Sequence, residues 1–270
     1  MSIPKVIHYC WFGRNPLPES ALKCIKSWKK KCSHYRIVEW NEDNFDVSVN
    51  LYCRQAYENK KWAFVTDFAR LWILYNYGGL YFDTDVKVIK SFDDMLDNQC
   101  FLGIEKSTRN IQVNTGVGMG CEKGNPVVKA LMDSYADISF VVDGEQDITT
   151  CTVRNTAVLE AFGYKNEDVL QQLDGVTVYP SEFFSPMEME SGMIRKTQNT
   201  HSIHLYSLSW TSKENQERRK RYLKDLKRKN RIYNIKTLPN RMLKKAMGES
   251  GYQRIKESVK GGDKSKEKGT

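Results

Sequence analysis

No run of eighteen apolar residues occurs in this chain, so no membrane-spanning helix is expected. Met1 to Pro4 leads straight into a β-type segment, and a cleavable leader is not expected either. The seven cysteines, at 10, 24, 32, 53, 100, 121 and 151, are odd in number, scattered and never spaced as Cys-x-x-Cys. That argues against a disulfide frame or a zinc ribbon and leaves reduced thiols. A dinucleotide fingerprint is also missing. The one glycine-dense stretch, Asn114 to Gly120, places glycines at 116, 118 and 120 and lacks the Gly-x-Gly-x-x-Gly spacing. Histidine is scarce, with four copies at 8, 34, 201 and 204.

Negative charge is short overall, but only at one end. Residues 211–270 hold 20 Lys+Arg against 7 Asp+Glu, so the +9 of the whole chain hides a slightly acidic remainder. The basic segment carries Tyr222, Leu223, Leu226 and Tyr233 among its charges, which suits an amphipathic helical extension over 211–259. Residues 260–270 are small and charged and are expected to be disordered. An anionic membrane surface, a nucleic acid and simple packing on the rest of the protein all suit such a helix. The preceding 210 residues are enough for one sizeable α/β core.

Within that core the most informative stretch is Gly78-Gly-Leu-Tyr-Phe-Asp-Thr-Asp-Val86, an apolar strand that ends in two carboxylates one residue apart and then resumes as Lys87-Val88-Ile89. Ionised carboxylates are costly inside strands without a partner, so a cation or a solvated turn is implied. Mg²⁺ and Mn²⁺ are hard ions that bind through one or two carboxylates together with substrate phosphates. The segment before it, Lys61 to Tyr77, reads as a helix ended by the Gly78-Gly79 pair, with Phe64, Phe68, Leu71, Trp72 and Tyr75 at helical spacing. Asp67 and Arg70 are its only charges after Lys61, and at i,i+3 they share a face. They are either an internal ion pair or a carboxylate and a guanidinium that hold a sugar or a phosphate.

Thr66-Asp67-Phe68-Ala69-Arg70, Tyr75, Gly78-Gly79, Tyr81 and Asp83-Thr84-Asp85 together resemble glycosyltransferase family 32, with its clostridial glucosylating toxins and the yeast initiating mannosyltransferase. The resemblance implies a GT-A type α/β fold, a single Rossmann-like domain with a mixed sheet over residues 1–210, followed by the basic helical extension. It also implies transfer of a hexose or N-acetylhexosamine from a nucleoside-diphosphate sugar, UDP-linked rather than GDP-linked, to a glycan acceptor. Asp85 would bind Mn²⁺ or Mg²⁺ directly, and Asp83 through water or by holding the ribose. Retention of anomeric configuration comes with the family. As no strong nucleophile stands out, front-face attack by the acceptor hydroxyl is the expected route. A glycoside hydrolase is disfavoured, because carboxylates at i,i+2 of one strand are poorly placed to flank a scissile bond.

The remaining expectations attach to flanking segments. Ile3 to Gly13 reads as a first strand, Ser20 to Lys30 as an amphipathic helix and Tyr35 to Trp40 as a second strand. Ligands of open α/β sheets bind beyond the carboxyl ends of the strands, so Cys10 to Arg14 falls near the donor. The family places Trp11 at the base, with the backbone near Cys10 pairing to its edge, and Tyr81 beside the donor; ordinary core packing is the other reading of Trp11. Asn114 is a candidate hydrogen-bond partner of the transferred sugar, and Arg154 or Asn155 of the acceptor. Thr200 to Trp210 resembles the family's late His-Ser-Trp element, which implies His204 as third metal ligand and Ser209 and Trp210 as a lid over the diphosphate. His201 and His204 lie on opposite faces of a strand, so only one can reach the ion, and register alone leaves both open. The family further implies a lipid-linked acceptor and a cytoplasmic site of action, peripheral at the inner face of the membrane. Nucleic acid is the disfavoured partner.

Overall fold

The computed structural model describes residues 2–208, 211, 214–226, 228, 242, 244–245, 247–251 and 253. Two units emerge, Met1–Ser212 and Lys213–Thr270. Ser209, Trp210 and the terminal stretch 260–270 lie outside the described residues.

The first unit is an α/β domain with strands β1 (Val6–Cys10), β2 (Arg36–Trp40), β3 (Gly79–Tyr81), β4 (Val86–Val88), β5 (Cys100–Lys106), β6 (Ile111–Asn114), β7 (Met119–Cys121), β8 (Val141–Val142), β9 (Glu145–Gln146), β10 (Gln171–Leu173), β11 (Val176–Tyr179) and β12 (Ser202–His204). Its helices are α1 (Glu19–Lys31), α2 (Leu51–Glu58), α3 (Trp62–Tyr77), α4 (Pro126–Asp133), α5 (Cys151–Glu160) and α6 (Ser181–Phe184). The main sheet runs β10-β11-β5-β7-β3-β1-β2, with β6 added to β5. β1 pairs in parallel with β2 and β3, and β11 with β5, whereas β7 is antiparallel to both β3 and β5. The sheet is therefore mixed, as the sequence resemblance led us to expect. β4 and β12 form a separate antiparallel pair in which His204 faces Val86.

α3 explains much of the arrangement. It is apolar nearly all round, because it packs against the sheet on one side and against α2 and α4 on others. Phe64, Val65, Phe68, Ala69, Leu71, Ile73 and Leu74 are buried, whereas Trp72 and Tyr75 are only half-buried. Gly78, at φ 65°, ends the helix with its N–H on the Leu74 carbonyl at 2.8 Å. Gly79 follows at φ 102°, and a Cβ there would lie 2.8 Å from the Val6 carbonyl oxygen, so the close approach of β3 to β1 needs glycine. His8 locks the same junction. Its Nδ1 accepts from Trp40 Nε1 at 2.9 Å, and Nε2–H donates to the Gly78 carbonyl at 3.0 Å.

The strand expected to end in the two carboxylates and then resume does so, with its first part shorter than its apolar residues suggest. β3 stops at Tyr81, Phe82 to Asp85 form a turn, and β4 joins a different sheet. Trp28 of α1 holds that second strand by donating Nε1–H to the Val86 carbonyl at 2.7 Å. The late element is likewise a strand only at Ser202–His204.

In the second unit, residues 214–226 are helical. Gln216, Arg219, Leu223 and Leu226 are half-buried at helical spacing, while Tyr222 is 54% exposed. Among the described residues no helix is long and apolar enough to cross a membrane.

Candidate functional site

β1 and β3 run in parallel, so their carboxyl ends emerge on one edge of the sheet. The turn Phe82–Asp85 leaves from that edge. So does the loop between β6 and β7, because Met119 is paired with Tyr81. Asp83 N–H donates to the Gly116 carbonyl at 3.1 Å, which ties turn and loop together. A Cβ on Gly116 would come within 2.0 Å of Asp83 Oδ2. The glycine-dense stretch is thus backbone that must pass beside a carboxylate.

Asp83, Asp85 and His204 converge, with one donor atom from each lying within 4.8 Å of the others. His204 Nε2 is 3.1 Å from Asp85 Oδ1, and Asp85 Oδ2 accepts from Ser207 N–H at 2.7 Å. Burial alone would raise the Asp85 pKa, but the His204 charge and the Ser207 hydrogen bond overcome it and hold the carboxyl well below the usual range. His204 moves the other way. Burial disfavours its charge, yet Asp85 and Glu105 raise its pKa to about 9. Asp83 is raised by burial, which outweighs Arg70.

Arg70 is the buried cation of the site, 3% exposed at its side chain. Nη2 contacts Asp67 Oδ1 at 3.0 Å and Asp83 Oδ1 at 3.2 Å, while Nε donates to the Thr66 carbonyl at 3.0 Å. Nη1 reaches Thr115 Oγ1 at 3.3 Å, which also accepts from Asn155 Nδ2 at 3.2 Å. The guanidinium lies over the Tyr81 ring, 5.1 Å from its centroid. Every arm of the fork is engaged by protein groups, so Arg70 organises Asp67 and Asp83 and presents no open face to a phosphate. Burial raises Asp67 to about 6, against the pull of Arg70.

The other expected residues sort by burial. Tyr81 and Cys10 are 1% and 4% exposed, so their side chains belong to the core beneath the site; this corrects Tyr81 as a donor contact and leaves the backbone reading of Cys10 as it was. Asn114 is tied up as well: Nδ2 donates to Glu105 Oε2 at 2.6 Å and Oδ1 accepts from Gly116 N–H at 2.6 Å, so its amide sets the loop. Trp11 is half-buried just past β1, with Nε1–H on the Asn15 carbonyl at 2.6 Å. Of the two late histidines, His204 is the one at the site. His201 turns away, placing Nε2 2.9 Å from Asp94 Oδ1 and stacking on Phe183. Arg154 is paired with Asp147.

Residues absent from the sequence reading also join the site. Glu105 Oε2 lies 3.9 Å from His204 Nδ1, Tyr206 packs on the imidazole at 4.3 Å between centroids, and Cys151 Sγ lies 3.8 Å from Arg70 Nη1. A lone carboxylate ending the apolar run Cys100–Ile104 was the available signal for Glu105.

Two carboxylates and an imidazole fit a divalent oxygen-preferring ion. Ligands at about 2.1 Å from Mg²⁺ are separated by roughly 3 to 4 Å, a spread the cluster can meet with small side-chain shifts.

Residues 18–102 match the family described as glycosyltransferase sugar-binding region containing DXD motif, and Asp83-Thr84-Asp85 is the D-x-D of that interval. Inositol phosphoceramide mannosyltransferase 3 of Schizosaccharomyces pombe (strain 972 / ATCC 24843) is 27% identical over 147 residues, which cover 52% of this chain and 39% of the relative. Inositol phosphoceramide mannosyltransferase 1 of the same yeast is 27% identical over 111 residues, covering 37% and 33%. The chain thus spans two fifths or less of these relatives' length. Among solved structures, PaToxG glycosyltransferase aligns with a TM-score of 0.47 at 17% identity, over 59% of this chain and 70% of that one. A glycosyltransferase involved in glycosylation of the major capsid of PBCV-1 also gives 0.47, at 12% identity, over 80% and 99%. The family match and the curated relatives agree with the family 32 resemblance of Thr66 to Asp85.

Proposed function

We propose that the chain is a glycosyltransferase that moves a hexose or N-acetylhexosamine from a nucleoside-diphosphate sugar to a glycan acceptor, with Asp83, Asp85 and His204 holding Mn²⁺ or Mg²⁺. The observation that carries this reading is the three-residue cluster within 4.8 Å, set at the carboxyl edge of β1 and β3. When bound, the ion supplies positive charge to the diphosphate as the anomeric bond breaks. Before the ion enters, Asp85 is kept ionised by the His204 charge and the Ser207 N–H; His204 would release its Nε2 proton to solvent on taking the ion. Arg70 keeps Asp83 and Asp67 in place from below, so the site is organised before the donor arrives. Retention and front-face attack belong to the same proposal.

UDP is our choice of nucleotide. The two yeast relatives are named as mannosyltransferases, so GDP-mannose belongs in the test. Release of nucleoside diphosphate is measured with UDP-Gal, UDP-Glc, UDP-GlcNAc, UDP-GalNAc and GDP-mannose, each with Mn²⁺ or with EDTA. Turnover of one donor that EDTA abolishes is the expected result. Turnover of none, or turnover indifferent to EDTA, overturns the reading.

We also propose that the acceptor is lipid-linked, in surface polysaccharide synthesis, and that the basic segment docks the enzyme on the inner face of the cell membrane. Its 20 Lys+Arg support that reading, at about 1 kcal/mol for each one near an anionic surface. Cosedimentation of the full chain with phosphatidylglycerol vesicles but not phosphatidylcholine vesicles is expected at low salt; equal behaviour with both contradicts it.

A further inference from the structure

We infer that Glu105 is a positioning residue for His204: its carboxylate takes the Nδ1–H of the imidazole, leaving Nε2 as an unprotonated donor turned to Asp83 and Asp85. The inference rests on the reading of that cluster as a divalent-ion site.

An imidazole that serves a metal through one nitrogen has to place the ring proton on the other. In His204, Nε2 is the nitrogen beside Asp85, at 3.1 Å. Nδ1 is buried and has no hydrogen-bond partner at bonding distance. Such an N–H is costly to leave unsatisfied. The acid that faces it is Glu105, whose Oε2 stands 3.9 Å away. A shift of about 1 Å closes that gap to an ordinary hydrogen bond.

Glu105 is itself fixed. Asn114 Nδ2 donates to Glu105 Oε2 at 2.6 Å, and Asn114 Oδ1 accepts the Gly116 N–H at 2.6 Å. The Gly116 carbonyl in turn accepts the Asp83 N–H at 3.1 Å. The carboxylate that aims the imidazole and the carboxylate that shares the ion are therefore referenced to one loop. Tyr206 covers the imidazole face, so the ring pivots little. Carboxylate partners of this kind orient metal-binding histidines, and their loss typically weakens metal affinity by 10- to 100-fold.

The test is Mn²⁺ binding by the full chain, followed through the electron paramagnetic resonance signal of free Mn²⁺. It compares wild type, Glu105→Ala, His204→Ala and the double variant. Glu105→Ala is expected to raise the dissociation constant by about 10- to 100-fold, and to add nothing once His204 is gone. Unchanged affinity in Glu105→Ala, or the same loss with and without His204, overturns the inference. Because the alanine variant risks misfolding, the wild-type chain supplies a second readout. In its Mg²⁺-loaded form the ¹⁵N shifts of His204 should show a protonated Nδ1 and an unprotonated Nε2; the opposite tautomer overturns the assignment. A wild-type chain that binds neither ion overturns the metal reading and this inference with it. Normal binding that depends on His204 but not on Glu105 overturns the inference alone.

Discussion

At the scale of single residues, the position of Asp83 Oδ2 depends on Gly116 having no side chain. An alanine Cβ would lie 2.0 Å from that oxygen, so the carboxylate would have to leave Arg70. Gly116→Ala should therefore cut donor turnover by about 100-fold, the scale of a 1 Å misplacement, while cooperative unfolding persists. Activity within a factor of two of wild type would show that Asp83 tolerates the shift. The carboxylates were legible because charge inside an apolar strand demands a partner. His204 was legible only as one of two, since pairing with β4 decides which face meets Asp85. Glu105 offered only a lone carboxylate after an apolar run, and its role was not legible because its partners Asn114 and His204 lie 9 and 99 residues away in the chain. Tyr81 looked like a donor contact by its place beside the carboxylates, yet β3 is buried on both faces and its side chain lies in the core.

At the scale of elements, α3 does two jobs, filling the core and delivering Asp67 and Arg70 to the site. Both charges are buried there, so neither can be removed without stranding the other. Arg70→Met leaves Asp67 and Asp83 uncompensated and should destabilise the fold by about 3–5 kcal/mol at pH 7.5. The loss should shrink toward pH 5, because carboxyls already raised by burial escape the penalty by taking up protons. Chemical denaturation at the two pH values checks this; a loss that grows on acidification contradicts it. α3 itself was readable from its periodicity and its glycine stop. The end of the first strand at the carboxylates was readable too, but the departure of Val86–Val88 into a second sheet was not, because apolar residues resume directly after Asp85. What decides it is β12, a partner more than a hundred residues away that draws β4 into that sheet.

Across the whole molecule, acid stability should carry the mark of His8 at the β1–β3 junction. Burial lowers its pKa from 6.5 to about 4, opposed by its hydrogen bond to Gly78. The unfolded chain binds this proton below pH 6.5 and the folded one only near 4. The His8 contribution is thus complete above pH 6.5 and declines on acidification to 4, by about 3 kcal/mol. Asp67 acts oppositely in much of that window, since its raised pKa lets the folded state take a proton first. The difference between wild type and His8→Asn isolates the effect: wild type should lose more stability between pH 7 and 4.5, and equal losses contradict the assignment. The mixed α/β class was legible from alternating strands and helices, but the strand order was not, because β5 and β7 enter the sheet through long-range pairing. The central claim is that Asp83, Asp85 and His204 hold a divalent ion against the donor's diphosphate. Its most direct measurement is calorimetric binding of UDP and GDP to wild type and Asp85→Asn, with Mn²⁺ and with EDTA. We expect one nucleotide to bind wild type only with Mn²⁺ and Asp85→Asn at least tenfold more weakly, about 1.4 kcal/mol. Binding of equal strength in EDTA, or in Asp85→Asn with Mn²⁺, would contradict the account.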